Sequence, residues 1–194
     1  MSEQLEIEWK TALTEAEYHQ LLAQFAVSPT QFFTQTNTYF DTPDFLLQQQ
    51  NCGLRIRVFD TSAELTLKSP ESLGKLETTD QLTKEIAASC IEAGHIIQEG
   101  AVAKKLLALG IDPTLVTVFA ELTTKRVEIP IQEGLLAIDE SWANHLHDYE
   151  LELEVDAVHS DQGSFLQLLR QWNIAYKPSK NKIQRAKEAT DLTR

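Results

Sequence analysis

The chain has 194 residues, 42% of them hydrophobic and 24% charged, the composition of an ordinary globular protein able to bury a core. Lys and Arg number 17 against 29 Asp and Glu, a formal net charge of −12, which argues against nucleic-acid partners and anionic membrane surfaces, since both are held by basic surfaces. No apolar run approaches the roughly 20 residues of a membrane span. The opening Met-Ser-Glu-Gln-Leu-Glu lacks a basic stretch followed by an apolar one, and Cys52 and Cys90 stand alone, so a cytoplasmic protein with free thiols is expected.

Taken in chain order, Leu5, Ile7 and Trp9 alternate with Glu6, Glu8 and Lys10, a strand with one charged face. Thr14 with Glu17 three residues on reads as a capping box. It opens a helix whose apolar stripe is Tyr18, Leu21, Leu22 and Phe25, and Pro29 ends that unit. Strands are predicted over 32–40, 54–59, 64–68 and 76–79. Asp41-Thr42-Pro43-Asp44 makes a turn and residues 69–74 a loop. Two short amphipathic helices follow, from Thr83 to about Gln98 and from Ala101 to Leu109, with Gly94 and Gly110 as terminators. Strands resume over 116–131, 135–140 and 149–155. A helix is expected from Asp161 to Trp172, a basic loop over 177–182, and a short helix from Ile183. There is no βαβ rhythm and no internal repeat, so the fold class is α+β with an antiparallel sheet, one unit over 1–194.

The polar faces of these strands carry formal charges of both signs. Lys10, Arg55, Arg57, Lys68 and Arg126 are the cations, and Glu6, Glu8, Glu77, Asp139, Glu150, Glu152 and Glu154 the carboxylates, each flanked by apolar neighbours. An open sheet with one solvated face would produce this alternation; so would a closed antiparallel β-barrel of about eight strands whose charged face lines a polar tunnel, with helices packed outside. The clustering of arginine pairs and glutamate pairs favours the barrel. Glu-x-Glu offers hard oxygen ligands on one strand face for a divalent cation, and Arg-x-Arg offers forked donors for phosphate oxygens. Carboxylates and guanidinium groups in one cavity are costly unless a metal and a polyanion complete the charge balance. His145 and His147, near Asp148, offer no obvious third ligand and read as loop residues. Trp9, Trp142 and Trp172 read as packing residues, and Gly53 and Gly74 as turn residues.

Glu6-Ile-Glu8-Trp-Lys10 resembles the N-terminal Glu-x-Glu-x-Lys signature of the CYTH superfamily, the triphosphate tunnel metalloenzymes, and the resemblance continues in order along nearly the whole chain. Tyr39-Phe40-Asp41-Thr42, Leu54-Arg55-Ile56-Arg57, Leu65-Thr66-Leu67-Lys68, Glu77, Thr124-Lys125-Arg126, Asp139, Glu150-Leu-Glu152-Leu-Glu154 and the basic tail Lys180, Lys182 and Arg185 each match a family segment. More narrowly, the chain resembles the YjbK-like bacterial branch. Two positions depart from the family pattern: Thr124 stands where a lysine is frequent, and Thr79 where a second glutamate is frequent.

The resemblance implies a phosphohydrolase for inorganic triphosphate or a compound ending in one, dependent on Mg²⁺ or Mn²⁺. Lys10, Arg55, Arg57, Lys68, Arg126, Lys180, Lys182 and Arg185 would hold the phosphates. Glu6, Glu8, Glu77, Asp139 and the strand carrying Glu150, Glu152 and Glu154 would supply metal ligands, with the choice among the last three open. Lys10 and Glu8 would serve the attacking water. Alternatives are an adenylate cyclase, a thiamine-triphosphate specialist, and a non-catalytic binder of polyphosphate or a phosphorylated nucleotide.

Overall fold

The computed structural model describes residues 2–156 and 161–191. Strands β1 (Ser2–Leu13), β2 (Phe33–Asp41), β3 (Gly53–Val58), β4 (Ala63–Pro70), β5 (Lys75–Leu82), β6 (Thr117–Ile131), β7 (Gly134–Ala143) and β8 (Leu146–Val155) close into a barrel in the order β1-β5-β4-β3-β2-β6-β7-β8. Every neighbouring pair is antiparallel. Closure depends on β1, whose residues 2–6 pair with β5 and residues 7–13 with β8. Closing the sheet satisfies both of its edges, so no strand is left with a free ladder of backbone donors and acceptors.

The two-residue period then sorts the side chains. Outward residues Ile7, Val127, Leu136, Ile138, Leu151 and Leu153 pack against Tyr18 and Leu21 of α1 (Glu15–Gln24) and Phe165, Leu168 and Leu169 of α5 (Gln162–Gln171). On the opposite wall Leu54, Ile56, Leu65 and Leu67 pack against Leu47 of α2 (Leu46–Gln49), Ala87 of α3 (Lys84–Ala93), and Val102 and Leu106 of α4 (Ala101–Ala108). The last helix, α6 (Lys182–Asp191), behaves differently. Its Ala186 clusters with Tyr39, Ala120 and Leu122, which share the inward parity of Arg126, and so it lies across one end of the barrel.

Polar caps fix the helices to this frame. Thr14 and Glu17 form the expected capping box, and Lys177 Nζ reaches Glu17 at 2.8 Å. Asp41 is buried and accepts from the backbone N–H groups of Thr42 (2.8 Å), Leu47 (2.9 Å) and Gln48 (3.1 Å), which anchors α2. The carboxylate of the Tyr-Phe-Asp-Thr segment, Asp41, is therefore structural. Asp80 accepts from the N–H groups of Ala101 (3.0 Å) and Val102 (2.8 Å), serving the first turn of α4 where Gly100 has no side chain to do so.

Several boundaries differ from the sequence reading. α3 stops at Ala93 because Gly94 turns left-handed at φ 74°, and residues 95–100 are not helical. Pro29 does not merely terminate: it opens a one-turn 3-10 helix, Pro29–Gln31, capped by Ser28. β5 begins at Lys75, one residue earlier than its apolar pattern shows. His147 lies in β8 rather than a loop, its Nε2 3.0 Å from Glu140 Oε1. Trp142 is partly exposed at 38%, not a core residue. Gly53 starts β3 instead of a turn. A Cβ there would sit 2.3 Å from Ile183 Cδ1, so its lack of a side chain lets α6 close over the barrel. Gly74 is the expected turn glycine, with φ +75° and the Glu6 carbonyl 2.0 Å from where a Cβ would stand.

Candidate functional site

The barrel encloses a cavity of about 450 Å³. Its charged wall comprises Glu6, Glu8 and Lys10 of β1, Arg55 and Arg57 of β3, Lys68 of β4, Lys75 and Glu77 of β5, Arg126 and Glu128 of β6, Glu152 and Glu154 of β8, and Lys182 at the start of α6. Each strand contributes alternate residues, so register decides which charges meet. Lys68 stands opposite Glu77, Lys10 opposite Glu152, and Arg126 opposite Asp139.

Three groupings result. In the first, Lys68 Nζ lies 2.6 Å from Glu6 and 2.8 Å from Glu77, while Arg55 approaches Glu77 at 3.7 Å. Arg57 contacts Glu64 only at 3.7 Å and donates through Nε to Asn37 Oδ1 at 2.9 Å. Burial, then Arg55 and Arg126, push the Arg57 pKa down to about 9. A guanidinium stays protonated in a protein, so this describes a buried positive charge short of anionic company. Lys75 shows the same: burial, then Lys68 and Lys10, lower its pKa.

The second grouping is acidic. Glu8 and Glu154 are direct cross-strand partners, an arrangement of like charges that destabilises a sheet unless a cation lies between them. Burial, then Glu6 and Glu77, raise the Glu154 pKa. Glu8 has Lys10 at 2.7 Å. Lys10 keeps a raised pKa despite burial, which alone would lower it, because Glu8, Glu152 and Glu150 outweigh that effect.

The third grouping is a buried ion network that runs from the wall to the residues behind it. Arg126 forks onto Asp139 with two bonds of 2.7 Å and also contacts Glu152. Lys182 Nζ sits among Asp139 (2.8 Å), Glu150 (2.9 Å) and Glu152 (2.5 Å). Arg185 bonds Glu150 at 2.8 Å and contacts Asp148. Ligand atoms of Asp139, Glu150 and Glu152 lie within 4.8 Å of one another, close enough to share a metal. Their charges are already compensated by Arg126, Lys182 and Arg185, whereas Glu8 and Glu154 face each other with less cationic cover. The facing carboxylates of Glu8 and Glu154, with Glu6 on the same face of β1, offer hard oxygen donors for a divalent cation, as the triad does.

The family model described as CYTH domain matches residues 4–186. The chain belongs to the CYTH family. It is 37% identical over 185 residues to a Bacillus subtilis protein named "Putative triphosphatase YjbK", covering 95% of both chains. A 67-residue stretch, 33% of this chain and 19% of the relative, is 43% identical to a Haemophilus influenzae protein named "Inorganic triphosphatase". A crystal structure from Bacillus halodurans described as a "putative adenylate cyclase" is 34% identical, with a TM-score of 0.89 over 95% of this chain and 98% of that one.

Of the residues that the CYTH resemblance singled out, Glu6, Glu8, Lys10, Arg55, Arg57, Lys68, Glu77, Arg126, Glu152, Glu154 and Lys182 are brought together on the cavity wall. Asp139 and Glu150 lie behind it, 0% and 1% exposed. Arg185 is a layer further back, against Asp148 and Glu150. Lys180 stands apart: its side chain is 56% exposed and pairs with Glu188 at 2.8 Å. Sequence reasoning missed Lys75, Glu128 and Tyr39, all lining the cavity. Lys75 shares the period of Glu77, and Glu128 that of Arg126; the early start of β5 hid the first. The two departures from the family pattern are packed away. Thr79 bonds Thr66 at 3.0 Å and Thr124 bonds Ser141 at 2.9 Å, hydroxyl to hydroxyl. Lys125 faces outward over the Phe32 ring, 4.5 Å from its centroid.

Proposed function

We propose that this protein is a metal-dependent phosphohydrolase of the cytoplasm, acting on inorganic triphosphate or a small molecule ending in a triphosphate. The observation that carries the reading is poorly compensated charge of both signs inside one closed barrel: positive at Arg57 and Lys75, and negative at Glu154, which faces Glu8. Neither half is comfortable alone, and a polyanion with a divalent cation satisfies both. The triphosphatase names of the Bacillus subtilis and Haemophilus influenzae relatives support the same reading.

Arg55, Arg57, Lys68, Lys75, Arg126 and Lys182 hold the phosphate oxygens, the guanidinium groups as forks and the ammonium groups as point charges. Glu6, Glu8 and Glu154 would hold Mg²⁺ or Mn²⁺, which when bound neutralises charge on the phosphates. Lys10, protonated and 2.7 Å from Glu8, would orient the attacking water, with Glu8 as the carboxylate that takes the proton from that water. In-line attack by water on the terminal phosphorus breaks its bond to the bridging oxygen, which leaves with the rest of the phosphate chain, and needs no covalent nucleophile. Asp139, Glu150 and Arg185 act from behind, fixing Arg126 and Lys182. Lys180 is left without a part in binding, given its exposed pairing with Glu188.

A second reading, cyclisation of ATP, is kept because of the description of the Bacillus halodurans structure. One assay separates these: phosphate release from inorganic triphosphate, ATP and thiamine triphosphate with Mg²⁺, Mn²⁺ or chelator, with cyclic AMP measured alongside. Metal-dependent phosphate release without cyclic AMP is the expected result. Cyclic AMP as the main product favours the cyclase, and tight triphosphate binding without turnover favours a binding protein.

A further inference from the structure

Among the described residues, every buried side-chain polar atom without a hydrogen-bond partner is a donor, and four of them stand together on one stretch of the barrel wall. They are Gln35 Nε2, Asn37 Nδ2 and Tyr39 Oη, on successive inward positions of β2, and Arg55 Nε, on the residue paired with Tyr39 across β2 and β3. Buried donors without acceptors are rare in folded proteins. Tyr39 and Arg55 of this row line the cavity, and donors without acceptors there complement a ligand whose polar atoms only accept, as ionised phosphate oxygens do.

We propose that the Tyr39 hydroxyl, where this row of donors reaches the cavity, donates a hydrogen bond to an oxygen of the bound triphosphate. The inference rests on the triphosphate reading above. Tyr39 is 1% exposed yet lines the cavity, beside Arg55 and Lys182. A phenol is protonated at neutral pH at its ordinary pKa of about 10, and burial pushes that of Tyr39 higher, with Arg55 and Lys182 opposing, so its hydroxyl is a donor. A neutral donor suits this place physically. Arg55 and Arg57 already repel each other there, and a third cation would add to that repulsion, whereas a phenol adds a directed bond without charge. Asn37 works one step back as a positioning residue: its Oδ1 takes the Arg57 Nε bond and turns the guanidinium edge toward the cavity.

The test is Tyr39→Phe, with Tyr149→Phe, a ring outside the barrel stacked on Tyr18, as control. Calorimetric binding of inorganic triphosphate in chelator and thermal unfolding without ligand are measured for both and for the wild type. Tyr39→Phe is expected to weaken triphosphate binding about ten- to a hundredfold, the usual effect of losing a hydrogen bond to a charged group. Its ligand-free melting temperature should be unchanged or higher, because an orphaned buried hydroxyl is gone. Tyr149→Phe should bind as the wild type does. Affinity within about twofold of wild type, or a ligand-free protein that is destabilised or unfolded by Tyr39→Phe, would make the hydroxyl structural and overturn the inference. Failure of the wild type itself to bind triphosphate would instead sink the functional reading on which the inference stands.

Discussion

At the scale of single residues, the cavity is governed by how far each charge is compensated. Arg57 is the most exposed electrostatically, buried beside two other arginines with Glu64 no nearer than 3.7 Å. Arg57→Ala should therefore weaken triphosphate binding about ten- to a hundredfold, checked by calorimetry on a variant whose circular dichroism matches wild type. Glu154 makes the opposite case. Its folded pKa is raised by burial and then by Glu6 and Glu77, so its ionised form destabilises the metal-free fold at neutral pH. That cost disappears below the ordinary glutamate pKa of about 4.3. Glu154→Gln should stabilise the metal-free protein at pH 7 by about 0.2–1 kcal/mol, the size of one relieved like-charge pair. It should also shrink the rise in melting temperature that Mg²⁺ or Mn²⁺ produces. A variant less stable than wild type without metal would remove Glu154 from the acidic face described above.

At the scale of elements, α6 is the piece whose position is least explained by a hydrophobic stripe. Its buried residues are Arg185, Ala186 and Ala189, and much of its attachment is ionic. Lys182 places one ammonium among three carboxylates on β7 and β8, and its removal leaves buried charge behind. Lys182→Met is expected to cost about 3–5 kcal/mol in urea unfolding, as breaking a buried pair from one side does. Lys180→Ala, two residues away but pairing only with exposed Glu188, should change stability by less than about 1 kcal/mol and leave triphosphate affinity intact. Equal effects of the two substitutions would mean that the network around Lys182 does not fasten the helix. The pH profile belongs to the same network. Asp139 and Glu152 are held below the usual carboxylate range by Arg126 and Lys182 against the opposing pull of burial. Their stabilisation is full above the unfolded carboxylate pKa near 4 and is lost as pH falls through their folded values. Acid unfolding of wild type should therefore include a steep component below about pH 4 that Lys182→Met reduces.

For the whole molecule, a net charge of −12 coexists with a cationic wall sealed inside. The net negative charge opposes the approach of polyanions, and the cavity gathers Lys10, Arg55, Arg57, Lys68, Lys75, Arg126 and Lys182 to hold one. Ligand binding should register as global stability, because all eight strands line the cavity, β7 through its apolar residues Leu135 and Ala137. Triphosphate at about a hundred times its Kd should add about 2.7 kcal/mol to the unfolding free energy, read as a concentration-dependent rise in melting temperature. No rise at saturating triphosphate, with or without metal, would exclude the cavity as its site.

Local periodicity in the sequence is enough to specify the strands, the face each one buries, and the charges that share a wall. Ile7 and Glu8 must point to opposite sides of β1, and Arg55 and Arg57 to the same one. It determined the capping box at Thr14 and Glu17 for the same reason, since the contacts span one helical turn. The tertiary structure alone decided which charges are neutralised. Asp139, Glu150 and Glu152 look no different from Glu8 and Glu154 in the sequence, yet the first three are compensated by Lys182 and Arg185 arriving on α6 and by Arg126 across the β6–β7 pair. It also decided that Lys180 faces out while Lys182 faces in, and that Tyr39 is a cavity residue. Charge compensation depends on distances of a few ångströms between residues far apart in the chain, and only closure of the barrel with α6 across its end sets those distances.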